Sequence, residues 1–173
     1  MLIVTAGLPG AGKSTIAEVV GNRIGAPVVS VDPIESAILS AGINADEPTG
    51  LAAYLVAETI AEAVLAGGGS VIVDAVNAVE PARDQWVKLA ARQKVAIKFL
   101  EVICSDPELH RSRLASRGRR LAHLTEPTWH AVEQSVDEWE TWSGATGAVP
   151  RITLDSVQPL GANVEHALAF LAA

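Results

Sequence analysis

The chain is short of several things. It has one cysteine, Cys104, so no intrachain disulfide can form, and a reducing, cytoplasmic setting is expected. In the run Phe99–Cys104 that cysteine reads as a small buried hydrophobe rather than a nucleophile. The apolar runs are brief and broken by Gly, Pro or charge, so no membrane-crossing segment is expected. The apolar start lacks a basic lead and is not read as a signal peptide. Lysine and arginine are scarce. They number 13 against 20 acids, a net charge of −7, and none lies between Arg23 and Arg83. A broad nucleic-acid surface is thereby disfavoured, because backbone binding needs clustered cations to displace counterions. His110, His123, His130 and His166 show no metal-ligand spacing with Cys104. No nucleophile elbow, Cys/His pair or base-reading Asn-Lys-x-Asp appears.

What is present begins at residue 2. Leu2–Ala6 is an apolar run expected to form a buried strand, and an amphipathic helix starts near Lys13 with Ile16, Val19, Val20 and Ile24 on one face. Between them Gly7-Leu8-Pro9-Gly10-Ala11-Gly12-Lys13-Ser14 fits Gly-x4-Gly-Lys-Ser in full. Glycines let backbone N–H groups turn inward onto phosphate oxygens, and the helix adds its positive end. Lys13 is expected on the β- and γ-phosphates, Ser14 on Mg²⁺, and Thr15 on the α-phosphate. A nucleoside triphosphate ligand follows from this loop in this context.

Beyond the loop, apolar strands alternate with helices: Pro27–Val31, a short helix through Ile38, Leu51–Leu65, Ser70–Val73, Pro81–Arg92, Val95–Ile103, a helix opened by the capping box Ser105–Glu108, Thr125–Trp142, Arg151–Leu154 and Ala162–Leu171. This is the pattern of a parallel sheet covered on both faces, in one domain over residues 1–173. Ligands of such sheets sit beyond the carboxyl ends of the strands, where Asp32, Asp74 and Asp155 are expected. Asp32 is read as the group that orients an attacking hydroxyl, or as a helix cap before Pro33. Asp74 resembles a Walker B acid that supports Mg²⁺. The two could exchange roles. Asn77 either lines the same pocket or serves a turn, Arg83 either meets an anionic acceptor or pairs with a surface acid, and Asp155 is a cap or turn near the base. Trp129, Val132, Val136 and Trp139 repeat at helical spacing and are read as core.

Arg111, Arg113, Arg117, Arg119 and Arg120 fall within ten positions. Arg113 and Arg117 share a helix face. Such a cluster on a lid segment, residues 111–125, would neutralise charge during phosphoryl transfer and exclude water.

The order of these motifs (Gly7–Thr15, Val31-Asp32, Val71–Asn77 with Arg83, Arg113-Leu114-x-x-Arg117) resembles the small P-loop kinases. The nearest likeness is to the subgroup with the kinase domain of polynucleotide kinase, the zeta-toxin-like kinases and small ATP-binding proteins. Adenylate, shikimate and gluconate kinases are more distant, and no gluconate kinase or adenylylsulfate kinase signature is found between residues 30 and 80. The resemblance implies a P-loop NTPase α/β fold with a five-stranded parallel sheet in the order 2-3-1-4-5. It implies ATP and Mg²⁺ as cofactors, Asp32 as acceptor-side base, Arg83 as an acceptor contact, Arg117 or Arg120 as the lid arginine, and residues 33–66 as the acceptor-binding segment. That segment is alanine-rich and carries no cation, which points to a small, weakly charged hydroxyl acceptor. A 5′-hydroxyl polynucleotide kinase and a nucleotide-dependent switch or accessory ATPase with a protein partner are the competing readings. Oligomeric state is left open.

Overall fold

The computed structural model describes residues 1–116 and 121–173. In chain order the elements are β1 (Leu2–Ala6), α1 (Lys13–Ile24), β2 (Val28–Ser30), α2 (Val31–Ser40), α3 (Thr49–Ala66), β3 (Val71–Asp74), α4 (Glu80–Gln93), β4 (Ile97–Ile103), α5 (Pro107–Ser116), α6 (Trp129–Asp137), α7 (Gly144–Gly147), β5 (Arg151–Asp155) and α8 (Leu160–Ala172). The strands form one parallel sheet in the order β2-β3-β1-β4-β5, as the resemblance implied.

Successive side chains of a strand point to opposite faces, and the central strands use both. Leu2 and Val4 of β1 with Val71 and Val73 of β3 pack against α3 and α4, while Ile3 and Ile72 pack against α1 and α8. Two apolar layers therefore clamp the sheet, and its loops carry the polar chemistry.

Several sequence expectations shift. β2 stops at Ser30, whose backbone is extended, and α2 begins at Val31. Asp32 thus sits in the first helical turn rather than at a strand end. Pro33 fits there because the first N–H groups of a helix have no intrahelical partner to lose. The expected helix over 125–142 shortens to α6, and α7 follows beyond its expected end. Thr128 starts α6 by accepting from Ala131 N at 3.2 Å, and residues 138–142 leave the helix because Glu140 N donates to Ala78 O at 3.1 Å. Within the Trp129–Trp139 stripe only Val132 is buried, and Val136 is exposed. Asp106, not Ser105, caps α5, its Oδ1 accepting from Glu108 N and Leu109 N at 3.0 Å each. Cys104 is half-buried.

α3 also differs from expectation. Its 18 residues, with mean hydropathy 1.4, are long and apolar enough to cross a membrane. Here Ala53, Ala57, Ala61 and Leu65 recur every fourth residue and face the sheet core. Leu51, Leu55, Val56 and Ile60 are exposed on its outer side.

Candidate active site

The loop between β1 and α1 has the geometry its glycines anticipate. Gly7 takes φ of 147°, and a Cβ there would stand 2.2 Å from Val102 O, so only glycine fits. Its N–H donates to Val76 O at 3.0 Å, tying the loop to the segment after β3. Ala11 is fully buried in the layer beneath and anchors the loop from below. Lys13 is buried, and its Nζ donates to Leu8 O at 3.0 Å, curling back over the loop.

Two cavities meet at Lys13 and Ser14. The larger, about 760 Å³, is an open groove over Gly10, Gly12, Thr15 and the segment Ser156–Leu160. Arg113 reaches its wall, donating to Ser156 Oγ at 2.7 Å and Ser156 O at 3.0 Å. The smaller, about 170 Å³, lies between Pro9, Asp32, Glu35, Asp74, Leu124 and Glu126. Among the described residues Lys13 is the only Lys or Arg that lines it, against four carboxylates.

Asp74 closes β3 and is 4% exposed. Its Oδ2 accepts from Ser14 Oγ at 2.7 Å and Ser30 Oγ at 3.0 Å, and its Oδ1 from Thr5 Oγ1 at 3.2 Å. One carboxylate thus gathers hydroxyls from β1, α1 and β2. Ser14 and Asp74 carry the hard oxygen donors that suit Mg²⁺, which keeps much of its water and takes one or two protein ligands. Thr5 and Ser30 were not anticipated. The signal was a single polar residue near the end of each apolar strand, with Ser30 in register with Asp74.

Asp32 and Glu35 lie three apart on α2 and both line the smaller cavity. Thr49 Oγ1, at the start of α3, holds Glu35 Oε1 at 2.8 Å.

Asn77 and Arg83 are not brought to either cavity. Asn77 is fully buried with φ of 50°. Its Nδ2 donates to Thr5 O at 2.6 Å, and its Oδ1 accepts from Trp86 Nε1 at 3.0 Å. Arg83 is fully buried too, and donates to Asn77 O at 2.8 Å, Glu140 O at 2.8 Å and Ala78 O at 2.6 Å. Its guanidinium lies 4.1 Å from the Trp142 ring centroid and 5.1 Å from that of Trp139. Burial pulls its pKa below the ordinary arginine value, and Glu80, Glu101 and Glu140 oppose that pull. In this geometry both residues fasten the loop after β3 in place. Arg117 and Arg120 lie outside the described residues.

Tyr54 of α3 stands between these groups. Its hydroxyl accepts from Asn77 N at 3.3 Å. Burial pushes the phenol from 10.0 up to about 12, the Asn77 N–H works against that rise, and the fields of Asp32, Asp74 and Glu35 add to it. Asp155 serves the turn beyond β5, its Oδ1 accepting from Ser105 N and Val157 N at 3.1 Å each.

Comparison with known proteins agrees with this architecture. Among solved structures, a sugar kinase from Janibacter sp. HTCC2649 superposes with a TM-score of 0.73 at 21% identity, covering 99% of this chain and 94% of that one. A gluconokinase from Sinorhizobium meliloti 1021 gives 0.68 at 23% identity over 98% and 90%. Kti12 from Chaetomium thermophilum, in complex with ADP-AlF3, gives 0.76 at 18% identity over 99% and 97%. These likenesses establish the shared α/β P-loop fold. No curated protein sequence matches this one. A family profile described as an AAA domain matches residues 2–140, most of the chain, and the protein therefore belongs to that family of P-loop domains.

Proposed function

We propose that the protein is a Mg²⁺- and ATP-dependent kinase that moves the γ-phosphoryl group to a hydroxyl of a small, weakly charged metabolite. The observation that carries this reading is the meeting of two cavities at Lys13 and Ser14, one along the phosphate loop and one holding Asp32. A γ-phosphoryl group placed at that junction would stand between a nucleotide in the large groove and an acceptor in the small one.

Each residue then has a task. The N–H groups of residues 7–15 cradle the phosphates, Lys13 neutralises charge on the transferring group, and Ser14 with Asp74 supports Mg²⁺. When bound, the ion would supply neutralisation of charge on the transferring group. Asp32 takes the proton of the attacking hydroxyl. Arg113 fixes the segment after β5 against the groove, and Arg117 and Arg120 complete the lid over 111–125. The acceptor segment over residues 33–66 carries no Lys or Arg, which favours a sugar-like or amine-bearing alcohol over a nucleotide or nucleic-acid end. The sugar kinase and gluconokinase among the similar structures fit the same class. Reducing, cytoplasmic surroundings suit an ATP-dependent enzyme with one cysteine.

The test is ADP release screened across hydroxyl-bearing metabolites, with Lys13→Ala and Asp32→Asn beside the wild type. Lys13→Ala should lose turnover about a thousandfold and Asp32→Asn about a hundredfold on the acceptor identified. Full transfer by Asp32→Asn would remove Asp32 from the role of base, and equal signal from Lys13→Ala would expose a contaminant. A second reading, a nucleotide-driven module with a protein partner, draws on the exposed apolar side of α3, formed by Leu51, Leu55, Val56 and Ile60. Turnover raised by a protein and by no small alcohol would favour it.

A further inference from the structure

His110 is a buried ring that the mechanism above does not use. It lies on α5, just before the lid segment, and is 5% exposed. Its Nε2 stands 2.8 Å from Pro9 O, inside the phosphate loop. A carbonyl oxygen can only accept, so Nε2 carries the proton and donates.

The consequence follows from the peptide unit. No cis bond occurs among the described residues, and in a trans peptide the C=O and the following N–H point in opposite directions. Holding Pro9 O toward α5 therefore turns Gly10 N–H away from α5. Gly10 lines the large groove, and its N–H has no hydrogen bond among the described residues. Gly10 adopts φ of 82°, and a Cβ there would come within 3.3 Å of the His110 ring and of Leu114. The loop is thus seated directly on α5. The Trp129 ring, at the start of α6, meets His110 edge-on at 5.3 Å between centroids. Both flanks of the lid segment converge on this one imidazole.

We infer that His110 is a positioning residue that sets the Pro9–Gly10 peptide plane so that Gly10 N–H faces the incoming phosphate, and that it couples this setting to α5 and α6. The inference rests on reading the loop as a phosphate cradle. A His110 that merely filled space would be replaced without loss by an apolar side chain of similar size.

The experiment is calorimetric titration of ADP with Mg²⁺ into the full chain and three variants, alongside their melting curves. His110→Phe and His110→Met keep bulk and lose the donor, whereas His110→Gln carries an amide N–H of comparable reach. The two donor-less variants should bind ADP about tenfold more weakly, and His110→Gln should stay within about threefold of wild type. Phe or Met binding ADP as wild type does overturns the inference. So does a Gln variant as weak as Phe and Met, because the site would then need shape alone. Should one donor-less variant fail to fold, the other decides. A wild-type chain that binds no ADP brings down the cradle reading and this inference together, an outcome distinct from unchanged affinity in the variants.

Discussion

Two polar clusters sit within ten residues of each other around the end of β3, and they behave as opposites. Asp74 is nearly buried, yet its three partners are hydroxyls, from Thr5, Ser14 and Ser30. A hydroxyl rotates freely and is both donor and acceptor, so each can turn its oxygen toward a cation without leaving a buried group unpaired. Arg83 is buried more deeply, and its partners are three backbone carbonyls and two indole faces. Those acceptors are fixed by the chain, and each is already satisfied. The first cluster opens on both the loop and a cavity, while the second lines neither of the two cavities. Burial plus charge marks a site of chemistry only where the partners can change their pairing and a ligand can reach them.

The sharpest way to break the contrast is at Asp74. Asp74→Asn keeps shape and hydrogen-bonding reach but removes the charge that would support Mg²⁺. Turnover should fall about a hundredfold, with a raised Mg²⁺ requirement and little change in melting temperature. A variant that loses stability instead would make Asp74 a second weld. Arg83→Leu should do the reverse. Three carbonyls lose their donor in the interior, so stability should drop by roughly 3 kcal/mol in urea unfolding, with turnover per folded molecule unchanged. If Arg83→Leu instead raises the acceptor KM at full stability, the residue contacts the acceptor after all and the contrast collapses.

The same contrast explains what could be read in advance. The phosphate loop was legible because strand, glycines, lysine and helix are contiguous, and every requirement is local. The alternation of apolar strands and helices made the parallel sheet legible for the same reason, and Asp74 was visible as an acid closing an apolar run. The strand before Asp32 reads too long in the sequence, since Val31 suits a strand as well as a helix start. Thr5 and Ser30 matter only once β1, β2 and β3 lie side by side, and that register is not written in any one segment. Arg83 was seen as a lone cation on a helix, and its tie to Glu140, 57 residues further on, has no local signature. His110 was weighed only as a metal ligand, because its partner Pro9 lies 101 residues away.

Tyr54 offers the finest gauge of the difference, since it rests on the loop that Arg83 fastens, feels the field of Asp74, and is the only tyrosine in the chain. Its hydroxyl rests on Asn77 N–H, while Asp32, Asp74 and Glu35 act on it through their fields. Tyrosinate absorbance followed after rapid pH jumps should show a midpoint near about 12 in the folded chain, against 10.0 for the free phenol. The unfolded chain then releases this proton first, so between those two values the folded state holds more protons. Its contribution to stability is whole below the unfolded midpoint and is lost as pH rises through the folded one. Removing a nearby negative charge eases ionisation, so Asp74→Asn and Asp32→Asn should each lower the midpoint, by less than the burial that sets most of it. Arg83→Leu should leave it closest to wild type, because that guanidinium is turned onto carbonyls and indoles and is not among the charges acting on the phenol. A midpoint that moves with Arg83 and ignores Asp74 would mean that the two clusters share one electrostatic environment, and that their different partners do not separate them.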